Sequence, residues 1–551
     1  MSLHNYINPI TKTDYPDPDI IRVDDTYYMV STTMYFMPGG VILRSYDLVN
    51  WEIVTYLFDK LDGSPEERLD GDLGNYGKGM WAATIRYHNG KFYVAFVSHG
   101  REDTHLFIAD DINGPWEHRY INQYYHDCSL LFDDDDKVYI IYGNTEIHLV
   151  ELNDDLTGPR EGGIDKVIIK DNPEKVGLGY EGAHFYKIDG LYYITLIHWP
   201  KYNGRRTEAV FVSKTVDGEY VGRDVMDDDM GFHDRGVAQG GMVETADGKW
   251  YSILFRDSGA VGRVPVLMPV TWKMDEEFGC KFPVFGCDGI IPRKMELRDK
   301  AIDAANPLVS EDKQTTYLYS TRPGYKYAPL YTSDDFKGPM KLQWQWNHLQ
   351  DDNLWRFLPE GGLEITTGKV CNNITHARNT LTQRMMYPKC EAYVTVDAAN
   401  LKDGDIAGLC ALEGCYGLVG ILREKDEYYL VVIERKSIEK PFKIGFMDYE
   451  PGEITFRKKL DSSKVRIGLT ADFEEMKDKL KFVFVSERYE GNKGCQNANS
   501  SNEKIAFEII GDEHQLTFGL DHFTGARFAL FVFSTKECGG KAVFTDFEYV
   551  Y

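Results

Sequence analysis

The sequence predicts an all-β protein, a five-bladed β-propeller followed by a β-sandwich of jelly-roll type. Three observations carry this. One strand–turn–strand unit recurs five times in the first half. The composition favours strands, with 51 glycines and 36 tyrosines and few stretches of helical periodicity. The second half alternates apolar and polar residues with period two, as in Lys479-Leu480-Lys481-Phe482-Val483-Phe484-Val485 and Val543-Phe544-Thr545-Asp546-Phe547-Glu548-Tyr549, the pattern of half-buried strands.

The blades follow from the repeat. Its copies are Asp24-Asp25-Thr26-Tyr27-Tyr28, Asn89-Gly90-Lys91-Phe92-Tyr93, Asp135-Asp136-Lys137-Val138-Tyr139, Asp189-Gly190-Leu191-Tyr192-Tyr193 and Asp247-Gly248-Lys249-Trp250-Tyr251. Each is a hairpin signal running into an apolar strand. The terminal tyrosines are spaced by 65, 46, 54 and 58 residues, room for about four strands per unit, the size of a propeller blade. A second repeated element, a strand end followed by a short acidic turn and an aromatic, recurs at Ser45–Trp51, Ala109–Trp116 and Ser213–Tyr220.

Counting back 11 or 12 residues from each tyrosine reaches Asp17, Trp81, Asp127, Glu181 and Gln239. Equivalent positions on the inner strands face the common axis, so three acids, a tryptophan and a glutamine are expected to converge. A single acid near a turn is most often solvated. Three at the equivalent position of three blades repel one another, and such a cluster points to function. The expected division is residues 1–293 for the propeller, 294–333 for a connector packed on it, and 334–551 for the sandwich. Leu342-Gln343-Trp344-Gln345-Trp346 reads as a strand of the sandwich, and the connector shows no clear periodicity.

A formal net charge of −25 argues against nucleic acid and anionic membranes as partners and suits a neutral ligand. No apolar run approaches the roughly 20 residues that span a bilayer. The nine cysteines are scattered without Cys-x-x-Cys spacing and read as mostly reduced core residues. The first residues carry neither a basic nor an apolar leader region, so a cytoplasmic location is the expectation. A homo-oligomer is compatible with the sequence.

Asn8-Pro9-Ile10 with Tyr15-Pro16-Asp17-Pro18-Asp19, His126-Asp127-Cys128-Ser129-Leu130-Leu131-Phe132-Asp133-Asp134-Asp135, Tyr180-Glu181-Gly182-Ala183-His184, Gly262-Arg263-Val264-Pro265-Val266-Leu267 and Pro269-Val270-Thr271-Trp272 together resemble glycoside hydrolase family 43. The resemblance covers essentially the whole chain, the second half being similar to the sandwich of the family's β-xylosidases and α-L-arabinofuranosidases. It implies an inverting, exo-acting hydrolase releasing terminal pentoses from an oligosaccharide. It further implies that Asp17 is the general base, Glu181 the general acid, and Asp127 the acid that orients and tunes its partner. Trp81 and Arg263 are implied to line the sugar site. Phe36 is a candidate for stacking on the ring, with Tyr35 and Trp199, and Gln239 for contacting the ligand. Phe523, within Asp521-His522-Phe523-Thr524-Gly525-Ala526, matches the aromatic that the family's sandwich contributes to the mouth of the funnel. Ser31-Thr32-Thr33-Met34-Tyr35-Phe36 departs from the commonest β-xylosidase pattern toward a group rich in arabinofuranosidases. No cofactor is required. Calcium on the axis is compatible with the fold, but Val237-Ala238-Gln239-Gly240 lacks the histidine that binds it in some members.

Two other readings compete. Propellers of this kind also host retaining fructosidases, whose nucleophile sits in an Asn-Asp-Pro setting, whereas Asp17 lies in Tyr-Pro-Asp-Pro. A non-catalytic sugar-binding propeller is the other. In the inverting reading, two carboxyls flank the bond with room for a water, about 6.5–9.5 Å apart. Glu181 must carry a proton, and Asp127 is placed to help hold it there. His184 and His198 are candidates to orient carboxylates, although a lone histidine more often packs.

Overall fold

The computed structural model describes residues 5–298, 308–436, 444–486 and 506–551. The middle of the connector and Cys495 lie outside them. Regular structure among the described residues is β-strand with four short 3-10 turns. No described helix is long and apolar enough to cross a membrane. The eight described cysteines are unbridged.

The chain divides into two compact units. The first takes Met1–Leu61, Lys78–Ser258 and Gly262–Leu330. It holds five four-stranded sheets, each connected in sequence order. Their inner strands are Asp19–Val23, Met80–His88, Ser129–Phe132, Val176–Ile188 and Val237–Glu244. Each touches the next, and the fifth touches the first, which closes a five-fold ring. Closure leaves the inner sheet edges short and protected around the axis.

The turn residues explain the repeat. Val23 pairs with Thr26, His88 with Lys91 and Ile188 with Leu191, so three of the five hairpins have two-residue loops. Asn89 with Gly90 and Asp189 with Gly190 are left-handed, the conformation that matches the twist of paired strands. The second repeated element links the outer strands. In the first blade Asp47 Oδ1 accepts the N–H groups of Val49 and Asn50, and Trp51 Nε1 donates to Leu48 O. The core lies between neighbouring blades, as where Ile194, Leu196 and Phe185 of the fourth meet Ile141 and Leu149 of the third.

The connector is more regular than its sequence suggests. Lys294–Arg298 pairs antiparallel with Asn5–Ile7 and parallel with Thr315–Tyr319. Met295 and Leu318 join the core of the first blade, and Tyr251 Oη donates to Tyr317 O at 2.6 Å. The pattern is hidden because each strand is only five residues long, too short for alternation to stand out.

The second unit takes Asp62–Gly77, Gly259–Val261 and Tyr331–Tyr551. Two antiparallel sheets of seven strands each, counting strands of this unit, meet face to face. Lys541–Val550 alternates as expected. Asp405–Leu412 and Arg527–Ser534 are instead buried at every residue, with Ile374 and Ala377 packed in the same cluster as Cys410 and Phe531. The expected strand at 342–346 is shorter, Gln345–Asn347. Trp344 breaks from it to bury its ring and donate Nε1 to Asp334 Oδ2 at 3.0 Å. Asp62–Gly77 is held within this unit by Tyr76, whose ring stacks on His522 at 4.0 Å. Tyr76 Oη donates to Thr375 O and accepts from Asn347 Nδ2, both at 2.7 Å.

Candidate active site

The inner strands are kinked where the five counted residues sit. Asp17 and Asp127 have left-handed backbones just ahead of their strands, Gln239 is left-handed inside its strand, and Gly182, directly after Glu181, is left-handed too. Register slips at Met80/Ala83, at Glu181/His184 and at Ala238/Gly240. Each slip is a β-bulge, which re-aims a side chain out of the pleat. Gly182 is glycine for a contact reason as well, since a Cβ there would stand 2.7 Å from Gln239 Cγ.

Asp17 is buried and held at both oxygens. Thr32 Oγ1 donates to Oδ2 at 2.7 Å and Arg263 Nη1 to Oδ1 at 2.8 Å. Ser31 Oγ and Thr32 N–H both donate to Pro16 O, which fixes the turn. Arg263 is buried at the start of Arg263–Asp275, its N–H donating to Asp14 Oδ1 at 2.7 Å. Burial raises the Asp17 carboxyl above its ordinary value, against the pull of Arg263, Thr32 and Arg206.

Asp127 is buried as well. Burial pushes it up to about 7; His126 and Arg263 oppose this, while Glu181 and Asp17 add to it by like-charge repulsion. The three counted acids are thus within electrostatic reach of one another. Glu181 is part-exposed, and Asn144 Nδ2 donates to its Oε2. His126 Nε2 stands 3.5 Å from that same oxygen, and Nδ1 3.8 Å from Asp127 Oδ1. Burial lowers the imidazole's proton affinity, but the two carboxyls outweigh it and raise His126 to about 9.

Trp81 forms a half-buried wall beside this group, its ring 4.1 Å from His99 and 5.9 Å from His126. Gln239 lies across Gly182 with its backbone N–H donated to buried Glu208 at 2.8 Å. Burial raises the Glu208 carboxyl well above the ordinary range. Phe36 is 1% exposed and packs its ring 4.6 Å from Tyr35, so no free face is offered for stacking on a sugar. Phe523 belongs to the second unit, left-handed and half-buried, its N–H donating to Gly519 O. Trp199 is part-exposed with Arg206 5.0 Å above its ring.

Both candidate histidines do hold carboxylates, though not those of the triad. His184 Nδ1 lies 3.0 Å from Asp19 Oδ1. His198 bridges Asp171 and Asp224 at 2.9 Å each and stacks on Tyr180.

Sequence reasoning missed His126, Asn144, Thr32 and Arg206. His126 was visible beside Asp127, but adjacency along a chain does not show that its ring reaches Glu181, 55 positions away. It also missed the hub of the ring. Arg86 of the second blade donates to Asp19 Oδ2 of the first at 2.6 Å, and to Ser129 Oγ and Leu130 O of the third at 2.6 and 2.7 Å. It also reaches Phe185 O of the fourth at 3.4 Å. Burial would raise Asp19, but Arg86, His184 and the Ile85 N–H overcome it and hold the carboxyl well below the usual range.

Gln239 can offer an amide oxygen to a calcium ion, but Asp19 is already saturated by a guanidinium, an imidazole and two N–H groups and is not open to one. The one clustered set of ligand atoms among the described residues, within 4.8 Å of one another, is His126, Asp127 and Glu181, whose imidazole favours a proton instead.

Residues 6–278 match the family profile described as glycosyl hydrolases family 43, and residues 333–550 match the β-xylosidase C-terminal concanavalin A-like domain. A β-xylosidase of Formosa agariphila is 29% identical over 474 residues, 77% of this chain and 75% of that protein. A non-reducing end α-L-arabinofuranosidase of Bacteroides ovatus is 26% identical over 450 residues, 78% and 76% of the two chains. The solved structure of a bifunctional GH43-CE protein of Bacteroides eggerthii matches with a TM-score of 0.83 at 35% identity, over all of this chain but 64% of that one. Five closed blades with an acid cluster at their centre, followed by a sandwich that matches the family's own second domain, leave one assignment: the chain belongs to glycosyl hydrolase family 43 and is a glycosidase.

Proposed function

We propose that the protein is an inverting, exo-acting hydrolase that releases terminal pentoses, β-D-xylose or α-L-arabinofuranose, from xylo-oligosaccharides or arabinoxylan. The observation that carries this is the meeting of Asp17, Asp127 and Glu181 from three blades, with Arg263 bonded to Asp17. The relatives' names supply the sugar class, one a β-xylosidase and another an α-L-arabinofuranosidase.

In this reading Glu181 protonates the departing glycosidic oxygen while Asp17 takes a proton from the attacking water. Asp17 receives two donors in its buried site, so its anion is solvated by fixed groups rather than by water. Asp127 stands within like-charge reach of both Glu181 and Asp17 and takes the orienting role between them. Trp81 presents an apolar wall for the sugar face, and Arg263 and Gln239 meet hydroxyls. No cofactor takes part.

Asp17→Asn and Glu181→Gln should each lower kcat/KM at least about 10³-fold while leaving thermal unfolding unchanged. Glu181→Ala should retain more activity on a 4-nitrophenyl glycoside, which needs little acid assistance, than on a disaccharide. Equal losses on both would remove the acid role. A proton NMR time course should show inverted anomeric configuration; retention would move the protein to the fructosidase-like chemistry. Rates on 4-nitrophenyl β-D-xylopyranoside against the α-L-arabinofuranoside decide the sugar.

A further inference from the structure

We propose that His126 is the positioning residue of the acid. It points an N–H at the same Glu181 oxygen that Asn144 holds, and this leaves the other oxygen to carry the proton toward the sugar. The inference rests on Glu181 being the acid and goes beyond that reading by assigning its proton to one oxygen.

The geometry is specific. Asn144 Nδ2 and His126 Nε2 both approach Oε2 of Glu181. An amide N–H₂ and a protonated imidazole are donors only, so an oxygen that faces both is an acceptor. A neutral carboxyl has one hydroxyl, and here it falls on Oε1. The other ring nitrogen, Nδ1, faces Asp127 Oδ1 at 3.8 Å, so the imidazole stands between the two carboxyls with one ring nitrogen in ion-pair reach of each. Its backbone is pinned by Gly143 N–H to His126 O at 3.0 Å, and Asn144 follows directly in the chain.

The charged and titratable groups around the ring favour this protonation state. Asp127 and Glu181 face it from the third and fourth blades. His99 faces it from the second, and burial, His126 and Lys78 lower His99 to about 4, so His99 stays neutral and adds no competing charge. The remaining neighbours are the rings of Trp81 at 5.9 Å and Tyr124 at 6.4 Å. The two carboxyls thus favour the protonated form of His126 over the neutral one. Its charge also pulls down the proton affinity of Asp127.

The test uses the full chain with His126→Gln and His126→Asn. With the cation gone, the alkaline limb of kcat/KM should move up by about one pH unit. With the proton no longer confined to Oε1, turnover of a pentosyl disaccharide should fall about 10–100-fold, against less than about 3-fold for a 4-nitrophenyl pentoside. Equal losses on both substrates, or an alkaline limb that stays or moves down, would overturn the proposal and leave His126 a structural residue. A measurement independent of activity stands beside it. In ¹⁵N-histidine-labelled protein, the resonance that His126→Gln removes should titrate above pH 8, and should drop by at least about one unit in Glu181→Gln. Titration near the ordinary imidazole value in both proteins sinks the proposal whatever the kinetics. Failure of the parent reading looks different, since it appears as activity retained by Glu181→Gln.

Discussion

At the scale of single residues, Arg86 and Asp19 carry the largest electrostatic stake outside the acid cluster. Asp19 is fully buried and Arg86 nearly so. Breaking such a pair by removing one partner costs about 3–5 kcal/mol, because the other charge is stranded. Arg86→Met should therefore lower the thermal midpoint by several degrees, read by calorimetry. The sign of the pH dependence follows from Asp19. Its carboxyl is held below the ordinary range in the folded chain, so this stability is present above about pH 4, the unfolded value. It is lost as pH falls through the folded value. Asp19→Asn should flatten the loss of stability between about pH 4 and pH 2; an unchanged acid slope would mean the pair contributes nothing there. Neither residue could be singled out from the sequence. Arg86 sits in an ordinary strand end, and its partners lie 67 and 99 positions away. Pairing at that distance leaves no local signal.

At the scale of elements, the hairpins were legible and the bulges were not. Asn-Gly and Asp-Gly declare a turn because their own backbone preferences demand it. A bulge is set by the partner strand, so Glu181 could be counted to its blade, but not its kink. Gly182 is the exception in hindsight, a glycine with φ of 63°. Gly182→Ala should cost about 1–2 kcal/mol in backbone strain and press on Gln239, lowering kcat/KM about 10–100-fold. Adding Gln239→Ala should restore part of the lost midpoint. Full activity in Gly182→Ala would show that the kink is not needed to aim Glu181. Phe36 makes the opposite point: an aromatic in a promising motif went to the core, because apolar burial competes for the same side chain that ligand stacking would use.

At the scale of the whole molecule, the two-part fold and the five-fold ring follow from repeat length and strand alternation. The path of the chain does not. Asp62–Gly77 leaves the first unit between its first and second blades and is counted with the second, anchored there by Tyr76 on His522. No run of hydrophobic residues announces this, since the segment holds its place through one ring and a few polar contacts.

That excursion makes the protein indivisible by any single cut in its gene. A fragment ending near residue 332 would carry a strip, with Tyr76 on it, that has lost its bed. The remainder would carry the bed without the strip. Each fragment made alone should be poorly soluble by size-exclusion chromatography, and the two made together should recover soluble material. Two cleanly folded fragments would show that the strip is dispensable. Shuffling of modules, easy where domains hang on a linker, is barred here by a stitch sewn early in the first half and tied off in the second.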